Sequence, residues 1–260
     1  MLLRGSYTVA MAWRLVLAAW VEVVVLASGC AGPISEAVPA ADAPPATGPP
    51  RLGAHALAYH RLGGSVAPIS TPAMNTMLSG STIVVTAGRG DKALFSLPRD
   101  NKSNSPYRQL DTVHPYTNYP NSGTAIYAFP SAQGGDGHIV TADTTASDEI
   151  TLAAVEVVNG RTIHDFKWNE VLAPNTLTSL TVTTTGPATL IAIWWGDAPE
   201  PQDKTAVPNN GFTVIDSILL SGALVQGAVA TRDVSAAGSY EVTWTATPLQ
   251  GAQLWLIAVQ

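Results

Sequence analysis

The sequence predicts an all-β fold, and three observations lead there. After residue 54 the chain breaks into short β-branched and apolar runs without helical periodicity, punctuated by Gly, Pro and Asn at the spacing of an all-β domain. Within residues 238–247, Tyr240, Val242, Trp244 and Ala246 alternate with Glu241, Thr243, Thr245 and Thr247, the period of a strand with one wet and one buried face. Charged residues make up only 12% of the chain, and one cysteine cannot form an internal bridge, so a large apolar core must hold the domain.

The chain opens with the parts of an export signal. Arg14 supplies positive charge, residues 15–26 an apolar run, and Ala27, Ser28 and Gly29 the small residues of a cleavage site. A spanning helix needs roughly 20 apolar residues, and Glu22 interrupts this run, at up to about 3 kcal/mol on insertion scales. The stretch Leu26-Ala27-Ser28-Gly29-Cys30 resembles the lipobox of bacterial lipoproteins, in which the thiol receives a diacylglycerol group and becomes the first residue of the mature protein. Glu22 departs from that pattern, which excludes charge close upstream. The resemblance implies an exported protein joined to a membrane through lipidated Cys30. Ala31 rather than Asp at the next position resembles the pattern for transfer to the outer membrane. Plain secretion beside an incidental cysteine and an uncleaved anchor are the competing readings.

Residues 30–53 are dominated by Pro, Ala and Gly and read as a tether. Some 20 such residues in polyproline-like form reach on the order of 60 Å. Without residues 1–29 the chain keeps 11 basic against 18 acidic residues, a surface that repels phosphate backbones and disfavours nucleic-acid binding.

Residues 54–260 then read as one β-sandwich domain. Runs 81–87, 149–158, 188–195 and 253–259 are continuously apolar, as central strands are. Gly88-Arg89-Gly90 and Gly134-Gly135-Asp136-Gly137 read as turns between strands. Asn159-Gly160 suits a tight type I′ hairpin, and Asn209-Asn210-Gly211 introduces the run 212–220. The order Gly80-Ser81-Thr82-Ile83-Val84-Val85, then Asp100-Asn101-Lys102-Ser103-Asn104-Ser105-Pro106-Tyr107, then Gly134-Gly135-Asp136-Gly137-His138-Ile139-Val140-Thr141, is similar to exported jelly-roll β-sandwich domains of uncharacterised bacterial proteins. The resemblance implies a single jelly-roll-like antiparallel sandwich, and it supplies no catalytic residues.

Reactive motifs are absent: there is no Gly-x-Ser-x-Gly elbow, His-Glu-x-x-His helix, phosphate-binding Gly-rich loop or Cys-x-x-Cys pair. No catalytic residue, metal site or cofactor is therefore expected. His55, His60, His114, His138 and His164 are scattered, and Lys102 stands where a calcium loop needs an oxygen ligand. Arg89-Gly90-Asp91 is explained by its turn. Glu156 lies inside an apolar run and reads as a carboxyl group hydrogen-bonded at the sandwich rim; a glycan hydrolase would pair it with Asp165, Glu170 or Asp197.

The aromatic residues give the binding clue. Trp194 and Trp195 are adjacent on a strand, so their side chains point to opposite faces. An outward Trp195 beside Asp197 would make a platform for a sugar ring, rimmed by Trp168, Tyr116, Tyr119 and His114. The expected function is an envelope-anchored binding or adhesion module for glycan or another surface polymer. A structural envelope protein without a small ligand and a glycan-active hydrolase are the alternatives.

Overall fold

A computed structural model describes residues 47–61, 67–90, 95–145, 148–197 and 203–260. Cys30, the expected signal and most of the expected tether lie outside the described residues, as do Asp91 and Lys92. The described residues form nineteen strands, and no helix among them is long and apolar enough to cross a membrane.

The strands fall into two halves that follow the same path. In the first, β1 (Arg51–His60) pairs with β9 (Ile150–Val158), β9 with β3 (Ser79–Arg89) and β3 with β7 (Tyr119–Gln133), while β5 (Arg108–Gln109) and β6 (His114–Tyr116) both lie along β7. A small sheet joins β2 (Ile69–Ser70), β8 (Val140–Ala142) and β4 (Arg99–Asp100). In the second half β10 (Ile163–Val171) pairs with β19 (Ala252–Val259), β19 with β13 (Ala188–Asp197), β13 with β16 (Val225–Val234) and β16 with β15 (Thr213–Ile218). Its small sheet joins β11 (Leu177–Thr178), β18 (Thr243–Thr247) and β14 (Thr205–Pro208), and β12 (Val182–Thr184) pairs with β17 (Gly238–Tyr240). In each half the first long strand lies beside the last.

The expected single two-sheet sandwich is therefore replaced by five sheets in four layers. The reason lies in the continuous apolar runs. In β9, Leu152 and Ala154 point into one buried cluster with Ile69 and Val140, whereas Ala153, Val155 and Val157 point into another with Ile191, Val229 and Ile257. In β19, Leu254 and Leu256 pack with Leu177, Val182 and Trp244, while Trp255, Ile257 and Val259 meet the first half. A sheet apolar on both faces needs a partner on each side. The two large sheets accordingly cover one another, and the small sheets cover their outer faces.

Polar bridges fix how the halves meet. His55 Nδ1 lies 2.8 Å from Asp216 Oδ2. Buried Glu149 accepts from Tyr59 Oη at 2.6 Å and from the Leu224 N–H at 2.7 Å. Thr124 Oγ1 donates to Gln253 Oε1 at 2.7 Å and accepts from Trp255 Nε1 at 2.8 Å.

Two expected turns take other roles, and a third does what its sequence implies. β3 runs on through Gly88 and Arg89, and Gly88 lies so close to Trp195 of the other half that a Cβ there would overlap its indole. Arg89, buried and ion-paired with Asp148, is not at a hairpin tip. Asn159-Gly160 connects β9 to β10 in a different sheet, since β9 already has β1 and β3 as neighbours; only Asn159 of the two takes positive φ (63°). Asn209-Asn210-Gly211 does introduce β15, with φ of 54° at Asn210 and 76° at Gly211.

Gly88→Ala is expected to destabilise the protein by about 1–3 kcal/mol, the range for overpacking a filled core. Adding Trp195→Phe should recover part of that loss, and urea unfolding of the two variants and their combination reads the coupling.

Candidate functional site

The residues expected to form an aromatic platform do come together, but around β6 and mostly inside the protein. Trp194 and Trp195 point to opposite faces, and both are buried, at 0% and 1% exposure. Tyr116, also buried, meets Trp195 edge to face with centroids 6.0 Å apart, and Tyr119 continues the row 6.1 Å beyond. His114 stacks on Trp168 at 3.8 Å, and its Nε2 lies 3.1 Å from Asp111 Oδ2. The Thr112 N–H and then His114 hold the Asp111 carboxyl below its ordinary range. Only Tyr119 offers an exposed ring. Trp195 presents no open face to a sugar because the first half's large sheet lies on it at Gly88. Asp197 ends β13, and its side chain lies outside the described residues.

The carboxylates do not pair. Glu156 is buried and holds loop and strand ends: it accepts from Ser81 Oγ at 2.6 Å, the Met77 N–H at 2.8 Å and the Ala54 N–H at 3.0 Å. Asp165 is engaged by Thr183 and Lys167, and Glu170 by Thr117 and Gln253. Among the described residues no three His, Cys, Asp or Glu side chains cluster as metal ligands would.

One hydroxyl–imidazole–carboxylate chain was not legible in the sequence. His138 Nε2 lies 3.0 Å from Asp100 Oδ2, and its Nδ1 lies 3.1 Å from Thr76 Oγ1. Tyr107 Oη and Asn104 Nδ2 each donate to Asp100 Oδ2 at 2.7 Å. Such a chain suits nucleophilic catalysis when its hydroxyl faces a substrate. Here Asp100 and His138 side chains are fully buried, and Thr76 Oγ1 is occupied by the Gly135 N–H at 3.1 Å. The group is a lock between the loops at 74–76 and 134–138. Burial alone would raise the Asp100 pKa, but the hydrogen bonds from His138, Asn104 and Tyr107 outweigh it and bring the carboxyl down to about 2.

An open groove lies elsewhere, where β3 begins and β7 and β9 end. One hollow of about 230 Å³ is lined by Met77, Ser79, Ser81, Ser131, Asn159 and Arg161, among others. A second, of about 400 Å³, is lined by Arg108, Ala128, Pro130, Arg161, Thr162 and Ile163. They share Arg161, and Pro130 of one is bonded to Ser131 of the other. Small-ligand clefts occupy about 300–1,000 Å³. Ser131 and Asn159 take positive φ, at 54° and 63°, and β3 is bulged between Ser79 and Ile83. Bulges and left-handed residues at a sheet rim re-aim side chains, and they gather at functional sites.

Sequence reasoning missed Arg108 and Arg161. Each is an ordinary surface arginine beside a turn, and only the fold brings them to one groove. The signal available was scarcity of basic residues, 13 against 19 acidic. The chain matches no family model, no curated protein and no solved structure.

Acid should dissolve the Asp100 lock. An unfolded Asp takes its proton near 3.8 and the folded one near 2, so the unfolded chain binds more protons between these values. Stability from this group is complete above about pH 5 and falls by roughly 2 kcal/mol as pH drops to 2. Asp100→Asn should cost about 3 kcal/mol at pH 7 and flatten that limb of the stability curve, measured by urea unfolding from pH 2 to 7.

Proposed function

We propose that this chain is an envelope-anchored lipoprotein whose β domain binds glycan or another surface polymer in the groove around Arg161. The anchor rests on the lipobox-like run ending at Cys30 and on the lack of a second cysteine. Binding rests on one observation: two adjoining hollows at one sheet rim are lined by hydroxyls, an amide and guanidinium groups, with apolar side chains between them. That is the composition a sugar ring asks for, since its hydroxyls need hydrogen-bond partners and its C–H face needs apolar contact. The aromatic cluster around β6 serves mainly as core, and Tyr119 is its accessible member.

A binding role is favoured over hydrolysis because each carboxylate expected to pair with Glu156, where its side chain is described, is engaged elsewhere. Glycoside cleavage needs two carboxyl groups about 5–10 Å apart across the bond.

Cells expressing the chain and fed labelled palmitate should yield labelled protein in the membrane fraction, and Cys30→Ser should abolish the label. In affinity electrophoresis through polysaccharide gels the protein should migrate late, without releasing reducing ends. Ser79→Trp, which fills the groove from an exposed position, should restore free migration. Unretarded migration of the unmodified protein in every gel would reject the binding reading.

A further inference from the structure

The groove is basic in a chain that is not. Among the described residues, most cationic side chains are taken by internal partners: Arg61 by the Gly222 carbonyl, Arg89 by Asp148, Arg99 by Asp143, Lys167 by Asp165, Lys102 by the Asp136 carbonyl, and Arg232 by the Asn210 carbonyl. Arg108 and Arg161 are exposed, line the same hollow, and have no carboxylate partner among the described residues. Among the described residues, none that lines either hollow is acidic. The Glu156 carboxylate, hydrogen-bonded to Ser81 of the lining, is buried with both oxygens occupied.

Asn159, also in the lining, donates its Nδ2 to the Pro49 carbonyl at 3.2 Å. Ser79, Ser131 and Thr162 add hydroxyls at the rim, and Ala128, Pro130 and Ile163 add apolar surface.

We infer that the groove takes an acidic saccharide, with the sugar carboxylate held between Arg108 and Arg161. The inference rests on the glycan reading of the groove given above. Guanidinium forks match carboxylate oxygens two by two, and such charge-assisted bonds are roughly twice as strong as neutral ones. The apolar strip between the two arginines and the hydroxyl rim accepts the ring that carries the carboxylate. The corresponding end of the second half, where β13 begins and β16 ends, sets Asp233 beside Arg51 with Pro187 and Ser235, and so does not repeat a lining whose charges are all basic.

The test uses the full-length protein in detergent, with three probes: polygalacturonate, the same polymer fully methyl-esterified, and phosphatidylglycerol vesicles. The protein should bind polygalacturonate, and its affinity for the esterified polymer should be at least about tenfold lower, as should that of Arg108→Gln or Arg161→Gln for polygalacturonate. Both arginines are exposed, so unchanged thermal midpoints would confirm that these variants fold. Equal binding of the two polymers, untouched by the arginine variants, would overturn the carboxylate clamp and leave the glycan reading standing. Binding to neither polymer would overturn both. Arginine-dependent binding to the vesicles alone would also overturn the inference and assign the groove to an anionic membrane surface.

Discussion

Burial of the inner faces of the two large sheets against each other is the contact on which the rest of the molecule depends. Val84, Ile126, Val155 and Val157 from one half meet Ile191, Val229, Trp255 and Ile257 from the other, and all are nearly inaccessible to water. With a single cysteine there is no disulfide to substitute for this burial. At roughly 25 cal/mol per Å² of apolar surface removed from water, such faces left open would make either half a poor structure alone. The close approach is sharpest at Gly88, where a hydrogen in place of a methyl group lets the Trp195 indole sit against the opposite sheet.

Polar groups at this seam act as register marks. The Glu149 carboxylate gathers donors from both halves, and Thr124 links Gln253 and Trp255, so sliding one sheet past the other would strand buried partners. Breaking a buried, hydrogen-bonded network is costly because each orphaned group keeps its desolvation penalty. The Asp100–His138–Thr76 lock does the same for the loops that cover the outer face of the first half. Rigidity of this kind suits a binding groove, whose contact geometry then needs little ordering when a ligand arrives.

Repetition of one strand path in both halves did not produce two equal surfaces. The rim of the first half carries Arg108 and Arg161, whereas the matching rim of the second carries Asp233, which is occupied by Thr189 Oγ1 at 2.7 Å. Same backbone path, different side chains at the rim: the core residues are constrained by packing on two faces, while rim residues are free to diverge. How the two halves acquired the same path does not enter into the chemistry of either rim.

Strand identity was written in the sequence, because β-branched runs and Gly and Pro punctuation are local properties, and the four continuously apolar runs lie in β3, β9, β13 and β19; the alternating run of Tyr240, Val242, Trp244 and Ala246 is instead broken at Glu241 and Val242 into β17 and β18, which join different sheets. The opposite orientations of Trp194 and Trp195 were equally local, following from the pleat alone. Layer number was present only as an unread hint: runs such as Ile150–Val158 are apolar on both faces, which a two-layer sandwich does not require. Whether Asn159-Gly160 closed a hairpin or crossed between halves, whether His138 met solvent or Asp100, and whether Trp195 faced water or another sheet were decided by which strands found each other. The groove belongs to the same class. Arg108 and Arg161 are far apart in the chain, and a shared rim arises only when β5 lies along β7 and the β9–β10 connection passes beside it. Short-range sterics and hydropathy determine what each segment becomes; long-range packing alone determines what each segment faces.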